Sequence, residues 1–388
     1  MSTLTFVSLI PSLIKVGEGH DFNYNQSVGR AVAINRWTYF AAIPVTIKID
    51  DTPAEWIHCL PSHNLLFKRD FSSRLTRIIF SILSARNFLK KKCSSGRSII
   101  FVESFDPTFL LVILITLCLV PKKQKAVWLL FRNDRSCTGV KGFLYKYFTK
   151  LIKILVGPKQ FKLLSDSRLL VDWFSIFIDE TVHLVPIPHT DFLHVQNSSI
   201  KPVGITAWIP GRQMDKPYNK QIANRLSRRV YESSKQFSLI LSEKSGISPM
   251  KRGLNIQLIP DVLPRKEYAK WMQKSDLVLL PYDPVSYRRR TSGVFVETVC
   301  AGKVPVVTAR TWMAEELLRF DLGELLVDWY DPNVLSLLEH IALDSDIKSK
   351  IQQMQNTYIA FHNENNFAET LRFLAESNTA SQKTSSVT

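Results

Sequence analysis

The sequence predicts an α/β protein made of two doubly wound domains that face each other across a cleft. The chain has 388 residues, a length that suits two domains of ordinary size. Hydrophobic residues make up 45% of the composition, as in a packed globular protein. Short apolar runs alternate with longer helical patterns along the whole chain, and this alternation is typical of βαβ units with a parallel sheet.

Most of the short apolar runs are rich in Val, Ile and Leu without polar alternation, as expected for strands that are buried on both faces. The first half contains six strand candidates: Leu4–Ile10, Pro44–Ile49, Ser98–Glu103, Ala126–Phe131, Lys162–Ser165 and His183–Ile187. The second half contains six more: Val203–Trp208, Phe237–Ser242, Asn255–Ile259, Leu277–Pro281, Pro305–Thr308 and Glu324–Val327. Ligands of such sheets bind beyond the carboxyl ends of the strands, so functional residues are expected there.

The strand–helix alternation breaks at Pro186-Ile187-Pro188-His189 and restarts after a polar stretch. This break predicts an N-terminal domain over 1–195 and a C-terminal domain over 196–375. The segment Pro332 to Leu374 has a helical pattern, and its end could return to the first domain. Residues 376–388 are rich in Ser and Thr and predict a disordered tail.

The chain is strongly basic, with 50 Lys and Arg against 34 Asp and Glu, for a net charge of +16. One helical pattern carries lysines on one face and aromatic or apolar residues on another: Lys146, Lys150 and Lys153, with Phe143, Tyr147, Leu151 and Leu155. This pattern fits a solvated helix whose apolar side is core. A helix that lies on an anionic membrane surface is the next alternative. A nucleic-acid interface is a weaker alternative, because we find no reader motif.

The five cysteines have no disulfide or metal-ligand spacing, and the eight histidines form no metal motif. We therefore expect a reducing, cytoplasmic location, with peripheral contact to the cytoplasmic membrane face as an open alternative, and no structural metal. Met1 to Ile14 lacks a basic start and predicts a first strand rather than a signal peptide. The longest apolar run, Phe109 to Val120, is well short of the ~20 residues that cross a bilayer, so it predicts a buried helix.

The densest cluster of chemistry-bearing residues lies at 279–307. A buried strand is predicted to end at Pro281, a loop with Arg288, Arg289 and Arg290 follows, and Thr291-Ser292-Gly293 then starts a helix. A Ser-capped helix start with an adjacent Gly is well suited to bind an anion. Glu297 lies about one turn further on and could accept two hydrogen bonds from a ribose diol. An ordinary strand–loop–helix–strand unit is the alternative interpretation.

Other candidate residues follow other predicted strands. Gly17-Glu18-Gly19-His20 comes after the first strand, where glycine lets the backbone approach a ligand closely. Arg212 and Lys216 follow the strand candidate at 203–208 and could neutralise a diphosphate. His20, Glu103 and Asp106 lie near predicted strand ends and could position an acceptor, although each could also have a structural role.

The 279–307 cluster resembles the nucleotide-sugar site of glycosyltransferases with the GT-B fold, in the retaining Glu-x7-Glu group (glycosyltransferase family 4, or group 1). Supporting segments follow in the same order: Gly17–His20, Pro186–His189, Pro210–Arg212, Ser275–Pro281, Ser292–Gly293 and Gly302–Val307. The resemblance implies two Rossmann-like domains. It also implies transfer of a sugar from a nucleotide diphosphate-sugar to a saccharide or lipid-linked acceptor hydroxyl, in polysaccharide or glycolipid biosynthesis.

Carried over by position, the resemblance implies roles for individual residues. Glu297 would bind the donor ribose, and Ser292 and Gly293 would meet the diphosphate through their backbone amides. Gly19 and Arg290 are further donor-binding candidates. Arg212 and Lys216 would neutralise the leaving diphosphate without a metal ion or other cofactor.

Arg289 stands where the family has the first glutamate of its Glu-x7-Glu element, eight positions before Glu297. That carboxylate usually touches the donor sugar, so the sequence leaves open whether anomeric configuration is retained or inverted. The same departure supports an alternative, a non-catalytic binding or scaffold protein with this fold. A basic nucleic-acid-binding protein is the third alternative and leaves the 279–307 cluster unexplained.

Overall fold

The structure is a computed structural model that describes residues 4–13, 20–47, 53–61, 71–94, 96–103, 105–121, 125–134, 137–190, 204–211, 216–233, 235–247 and 254–377. The described chain divides into two compact units. The first contains the residues up to His189 and those from Glu364 onward. The second runs from Thr190 to Asn363.

The first unit is built on a seven-stranded sheet in the order β3-β2-β1-β4-β5-β6-β7, with every neighbouring pair parallel. Its strands are β1 (Thr5–Leu9), β2 (Thr38–Pro44), β3 (Trp56–Leu60), β4 (Ser98–Val102), β5 (Lys125–Phe131), β6 (Phe161–Ser165) and β7 (Val182–Leu184). Its first five helices are α1 (His20–Ile34), α2 (Phe71–Lys92), α3 (Pro107–Cys118), α4 (Gly139–Val156) and α5 (Arg168–Ile178).

Both faces of this sheet are covered, because the central strands bury the side chains that point to either side. Residues of α2, α3, α4 and α5 share one core cluster with alternate strand residues such as Val7 and Ile100. Residues of α1 share a second cluster with the intervening strand residues, such as Phe6 and Ile99. The sheet is therefore doubly wound, and α3 is the buried helix predicted from the long apolar run.

The second unit has a five-stranded parallel sheet in the order β10-β9-β8-β11-β12. Its strands are β8 (Ile205–Trp208), β9 (Phe237–Ser242), β10 (Leu254–Ile259), β11 (Leu277–Leu280) and β12 (Val304–Val307). Its helices are α6 (Pro217–Ser227), α7 (Arg265–Lys274), α8 (Gly293–Cys300), α9 (Trp312–Leu318), α10 (Val334–Leu343) and α11 (Ser345–Phe361). Two parallel α/β domains confirm the predicted fold class.

Two of the strand predictions are wrong, and one edge strand is absent from the predictions. The candidate at Pro44–Ile49 is wrong, because the strand there is β2, which ends at Pro44 and is followed by a turn. The edge strand β3 was missed, since its middle residues are only half-buried and include a His and a Cys. The candidate at Glu324–Val327 is also wrong: residues 323–325 form a 3₁₀ turn, and Leu326 makes only an isolated bridge to Val307.

The last described helix, α12 (Glu364–Glu376), belongs to the first unit. It packs against α1, and its apolar side joins the core cluster of that helix through Phe367, Ala368 and Leu371. The expected second domain, 196–375, therefore differs from the observed unit at its C-terminal end. The tail predicted to be disordered, 376–388, begins too early, because Glu376 is the last residue of α12; residues 378–388 lie outside the described residues. No helix within the described ranges combines the length and the hydropathy needed to cross a bilayer.

We expect Phe367→Ala to lower the free energy of unfolding by about 3–5 kcal/mol, because it removes a fully buried ring that packs against Tyr24. Phe373→Ala on the same helix is the matched control, since that ring is 69% exposed. The control should stay within about 0.5 kcal/mol of wild type in urea denaturation. Equal losses in the two variants would contradict this docking of α12.

Candidate functional site

Parallel strands place every strand-to-helix connection of a unit at one edge of its sheet. In the second unit this edge carries the end of β8, the end of β11 and the starts of α6, α7 and α8. The strand order reverses between β8 and β11, which makes this the point where doubly wound sheets open a crevice for ligands. The predicted donor-site residues of the 279–307 cluster follow β11 directly.

The start of α8 has the geometry that the sequence predicts. Ser292 is the N-cap, and its Oγ accepts a hydrogen bond from the Phe295 N–H at 3.2 Å. The N–H groups of Gly293 and Val294 precede the capped one in the first turn, where a helix has no intrahelical acceptors. Both residues are partly exposed. Gly302 follows α8 with a φ of 64°, a conformation that suits glycine and ends the helix.

Two predicted cationic residues, Lys216 and Arg290, contact one tyrosine, Tyr287, which is not among the residues predicted from the sequence. Lys216 Nζ lies 5.1 Å from the centroid of the Tyr287 ring and 3.4 Å from its hydroxyl. The Arg290 guanidinium lies 5.2 Å from the centroid of the same ring. A ring within about 6 Å of a cation attracts it through its quadrupole. Tyr287 therefore brings a residue that follows β8 together with one that follows β11.

The position of Tyr287 is fixed by its surroundings. Its ring is buried and packs on Tyr282, with the centroids 4.4 Å apart. Its backbone N–H donates to the Asp283 carbonyl at 3.0 Å, and its carbonyl accepts from the Trp312 N–H at 2.8 Å. No signal in the sequence separates this tyrosine from the others of the loop, because its role depends on the turn that folds it back.

Glu297 lies inside the unit beside the first turn of α7. Its Oε2 accepts a hydrogen bond from the Tyr268 hydroxyl at 2.8 Å. The Tyr268 ring in turn meets Trp208, the last residue of β8, in a T-shaped contact at 5.2 Å. These contacts place the carboxylate next to the carboxyl edge of the sheet. Glu297 is 8% exposed, so its side chain is largely shielded from water.

Burial raises the pKa of Glu297 to about 7, since removal from water penalises the charged form. The hydrogen bond from Tyr268 and the charge of Arg265 act in the opposite direction and lower the pKa. Burial outweighs both. A carboxyl group with a pKa near neutrality is more typical of a functional position than of a surface glutamate.

The carboxyl edge of the first unit carries a buried ionic cluster. Glu103, Arg132 and Asp166 each follow one of three neighbouring strands, β4, β5 and β6. Arg132 Nε donates to Asp166 Oδ2 at 3.0 Å, and an Arg132 terminal nitrogen lies 3.7 Å from Glu103 Oε1. Of these three residues, only Glu103 is among the site residues predicted from the sequence. The other two could have been found by asking which residues directly follow adjacent strands.

Residues of α1 complete this cluster. The Asn25 side-chain amide donates to Glu103 Oε2 at 3.0 Å. The Arg132 guanidinium lies 4.3 Å from the centroid of the Tyr24 ring. The two carboxylates raise the pKa of Arg132 despite its burial, so its positive charge is permanent. The cluster holds its members in fixed positions at the edge.

Two of the four remaining candidate residues, Asp106 and His20, lie in the described part of the chain. Asp106 is the N-cap of α3, with its Oδ1 accepting from the Phe109 N–H at 2.8 Å. His20 is the first residue of α1, which places it at the carboxyl edge of the first unit. Gly19 and Arg212 lie outside the described residues. Among the described residues, no cluster of three or more His, Cys, Asp or Glu could hold a metal ion.

Solved structures match the fold over nearly the whole chain. Sucrose-phosphate synthase from Thermosynechococcus elongatus has a TM-score of 0.66 at 12% identity, covering 98% of this chain and 100% of that chain. An α,α-trehalose 6-phosphate synthase from Burkholderia multivorans has a TM-score of 0.62 at 12% identity, with coverage of 98% and 100%. A trehalose-6-phosphate protein from E. coli bound with UDP-2-fluoro glucose has a TM-score of 0.60 at 14% identity, with coverage of 97% and 99%.

These similarities show the fold. The chain has the two-domain GT-B architecture, as its resemblance to the Glu-x7-Glu group implies. No protein-family model matches the sequence, and no curated protein matches it.

We expect Glu297→Gln to stabilise the protein at neutral pH but not at acid pH. Glutamate ionises near pH 4.3 in the unfolded chain, while Glu297 keeps its proton to about pH 7 when folded. Wild-type stability therefore falls as the pH rises through this window, by at most about 4 kcal/mol, and levels off above it. Glutamine lacks this loss.

The measurement is the Tm of both proteins at about pH 5 and about pH 8, where the variant should gain on wild type at the higher pH. Glu315→Gln, at an exposed position of the same unit, should follow the wild-type profile. A constant difference between Glu297→Gln and wild type at both pH values would contradict the assigned burial of this charge.

Proposed function

We propose that the protein is a glycosyltransferase that moves a sugar from a nucleotide diphosphate-sugar to a hydroxyl of a saccharide or lipid-linked acceptor, in polysaccharide or glycolipid biosynthesis. One observation carries the proposal. Lys216 and Arg290, which come from different loops, meet at Tyr287 beside the start of α8. Glu297 lies in the next turn of the same helix. The GT-B fold and the UDP-2-fluoro glucose bound by one similar structure support the same class of donor.

The cationic pair and the helix start would act on the leaving group. Breaking the anomeric C–O bond places negative charge on the diphosphate, and an oxocarbenium-like sugar forms as the bond opens. Fixed positive groups that point toward this charge stabilise the transition state more than they stabilise the bound donor, and they therefore lower the barrier. Lys216, Arg290 and the amides of Ser292 and Gly293 are proposed for this role, with Arg212 as a further cation and without a metal ion.

Glu297 would bind the nucleoside part of the donor. An ionised carboxylate can accept hydrogen bonds from both hydroxyls of a ribose, and the Tyr268 hydroxyl holds one of its oxygens in place. Because the pKa of Glu297 is about 7, the acceptor form of this carboxylate predominates only above neutral pH in the free protein.

The acceptor is proposed to bind at the carboxyl edge of the first unit, with His20, Glu103 and Asp106 as its candidate contacts. Glu103 is held by Asn25 and Arg132, so its part would be to set the shape and charge of the edge. Asp106 caps α3 and would act by fixing the start of that helix.

A non-catalytic binding protein with this fold is the second candidate, and Arg289 is the observation that favours it. In place of the carboxylate that the Glu-x7-Glu group carries near the donor sugar, this chain has a cation. For an enzyme, the same replacement leaves the anomeric outcome to experiment, with retention proposed from the resemblance. Binding of a nucleotide-sugar without hydrolysis or transfer would favour the second candidate.

The first test combines binding with turnover. A thermal-shift panel of UDP-glucose, UDP-N-acetylglucosamine, GDP-mannose and ADP-glucose identifies the donor, because a bound ligand raises the Tm. With that donor, Lys216→Ala and Arg290→Ala should each lower kcat about 10²–10³-fold, the usual effect of losing one group that stabilises developing charge. Lys220→Ala on the same helix and Arg288→Ala in the same loop are exposed, matched controls.

The two control variants should keep wild-type kcat. If Lys216→Ala and Arg290→Ala also turn over at wild-type rates, the cations do not stabilise the leaving group and the proposed mechanism is wrong. Lys216→Arg, which keeps the charge, should recover part of the lost rate.

A second test follows the pH dependence of donor binding. We expect the donor Kd to tighten as the pH rises through about 7, because the Glu297 carboxylate gains its charge there. In Glu297→Gln, the donor should bind more weakly at about pH 8 and with little dependence on pH. Isothermal titration with the nucleotide-sugar donor, whose diphosphate does not titrate near neutral pH, measures both quantities. An unchanged pH profile in the variant would remove the ribose role of Glu297.

A further inference from the structure

Two helices of the first unit that lie on either side of α3 expose a set of large apolar side chains, here called the basic-apolar surface. Its apolar members are Leu75, Ile79, Phe80 and Leu83 on α2, and Val140, Phe143, Tyr147 and Ile154 on α4. Phe143 is 66% exposed and Ile154 is 67% exposed. Single exposed apolar residues are ordinary, but eight of them on two helices of one layer are typical of an interaction site.

The two helices lie in one layer on the same face of the sheet. Their buried residues, such as Ile82 on α2 and Tyr145 on α4, belong to the core cluster that also contains α3. Helix α3 packs against both α2 and α4. The exposed stripes lie opposite these buried residues, at spacings of three and four along each helix, and therefore point away from the sheet.

The charge of this layer has one sign. The residues of α2, α3 and α4 include no Asp or Glu at all, whereas α2 contains six Lys or Arg and α4 contains four. Several of these cations are engaged within the unit: for example, Lys153 pairs with Glu180, and Lys92 lies over the Phe40 ring. On the outer side of α4, Lys146 and Lys150 are exposed beside the Phe143–Tyr147 stack.

We propose that the basic-apolar surface docks the protein on an anionic lipid bilayer. The rings and aliphatic chains would enter the interface between head groups and acyl chains, and the lysines would lie among the anionic head groups. The sequence pattern of α4 was compatible with either a solvated helix or a membrane contact. The exposure of its apolar stripe, and a matching stripe on α2, favour the membrane.

The composition of the surface argues for lipid over other partners. Five of its eight apolar members are aliphatic, and Phe80 is apart from the Phe143–Tyr147 stack. Nucleic-acid bases stack on aromatic rings, so this surface suits nucleic acid poorly. A second copy of the chain would bring the same cations against themselves, which costs free energy in a closed interface. An acidic bilayer satisfies both the apolar stripes and the one-sided charge.

The experiment is flotation of the full chain with vesicles in low salt. Vesicles of phosphatidylcholine alone are compared with vesicles that contain about 30 mol% phosphatidylglycerol. We expect binding to the anionic vesicles and loss of that binding as salt screens the charges. Comparable binding to both kinds of vesicle, or to neither, would overturn the proposal.

Two variants separate the charge from the apolar contribution. The double variant Lys146→Gln/Lys150→Gln should weaken the partition onto anionic vesicles about 30-fold, at about fivefold for each lysine. Its matched control is Arg228→Gln/Lys235→Gln, at exposed positions of the second unit, which should leave the partition unchanged. If the two double variants weaken the partition equally, binding depends on net charge alone, and the proposal that this surface docks on the bilayer is wrong.

Phe143→Ser tests the apolar contribution and should weaken the partition about tenfold. Phe373→Ser is its control, because that ring is as exposed but lies on α12, whose buried side joins the core of the other sheet face. Equal effects of the two variants would overturn the proposal. Two other results would also do so: a dimer in sedimentation that Phe143→Ser abolishes, or tight binding of single-stranded DNA that Lys146→Gln/Lys150→Gln abolishes without any vesicle binding by wild type.

Discussion

The parallel direction of all strands in each sheet is the constraint on which the rest of the structure depends. When every strand runs the same way, every strand-to-helix connection must lie at one edge, and every helix that follows a strand starts there. Residues that are far apart in the sequence therefore share a small region. Lys216 follows β8 and Arg290 follows β11, yet both reach one tyrosine. Glu103, Arg132 and Asp166 meet at the corresponding edge of the first unit.

The two edges use their cations differently. In the first unit, the charge of Arg132 is matched by two carboxylates that are themselves buried, so the group is a fixed part of the framework. In the second unit, Lys216 and Arg290 are drawn to the face of Tyr287. The attraction between an aromatic ring and a cation does not cancel the positive charge. This contrast supports a donor role for the second unit.

The sequence could predict the elements whose signal is local. Buried strand β11 is a continuous run of Val and Leu, β9 has Leu-Ile-Leu at its centre, and α8 is marked by its Ser cap and its closing glycine. Edge strand β3 escaped because its middle residues are only half-buried. The helical pattern of α12 allowed its return to the first unit, but the choice of unit depends on which core has room for its apolar side.

Most of the candidate site could be predicted because its residues lie in one short segment. The exceptions depend on folding over longer distances. Tyr287 acquires its role only when the loop folds back onto Tyr282 and toward Lys216, and Tyr268 reaches Glu297 from a different helix. The raised pKa of Glu297 belongs to the same class, since composition alone cannot show that a glutamate four residues past a helix start is enclosed.

The basic-apolar surface and the carboxyl edge of the first unit are compatible in one molecule because they are different sides of it. Helices that cover a parallel sheet lie across its face, and their outer sides point away from the strands, whereas the connections lie at the strand ends. A bilayer against the outer sides of α2 and α4 would therefore leave the cluster at Glu103 and Arg132 uncovered. An acceptor carried in that bilayer would have to reach only from the helix-covered face of the first unit to the carboxyl edge of its sheet. The positive net charge of the chain would hold the protein at the anionic surface where such acceptors are concentrated.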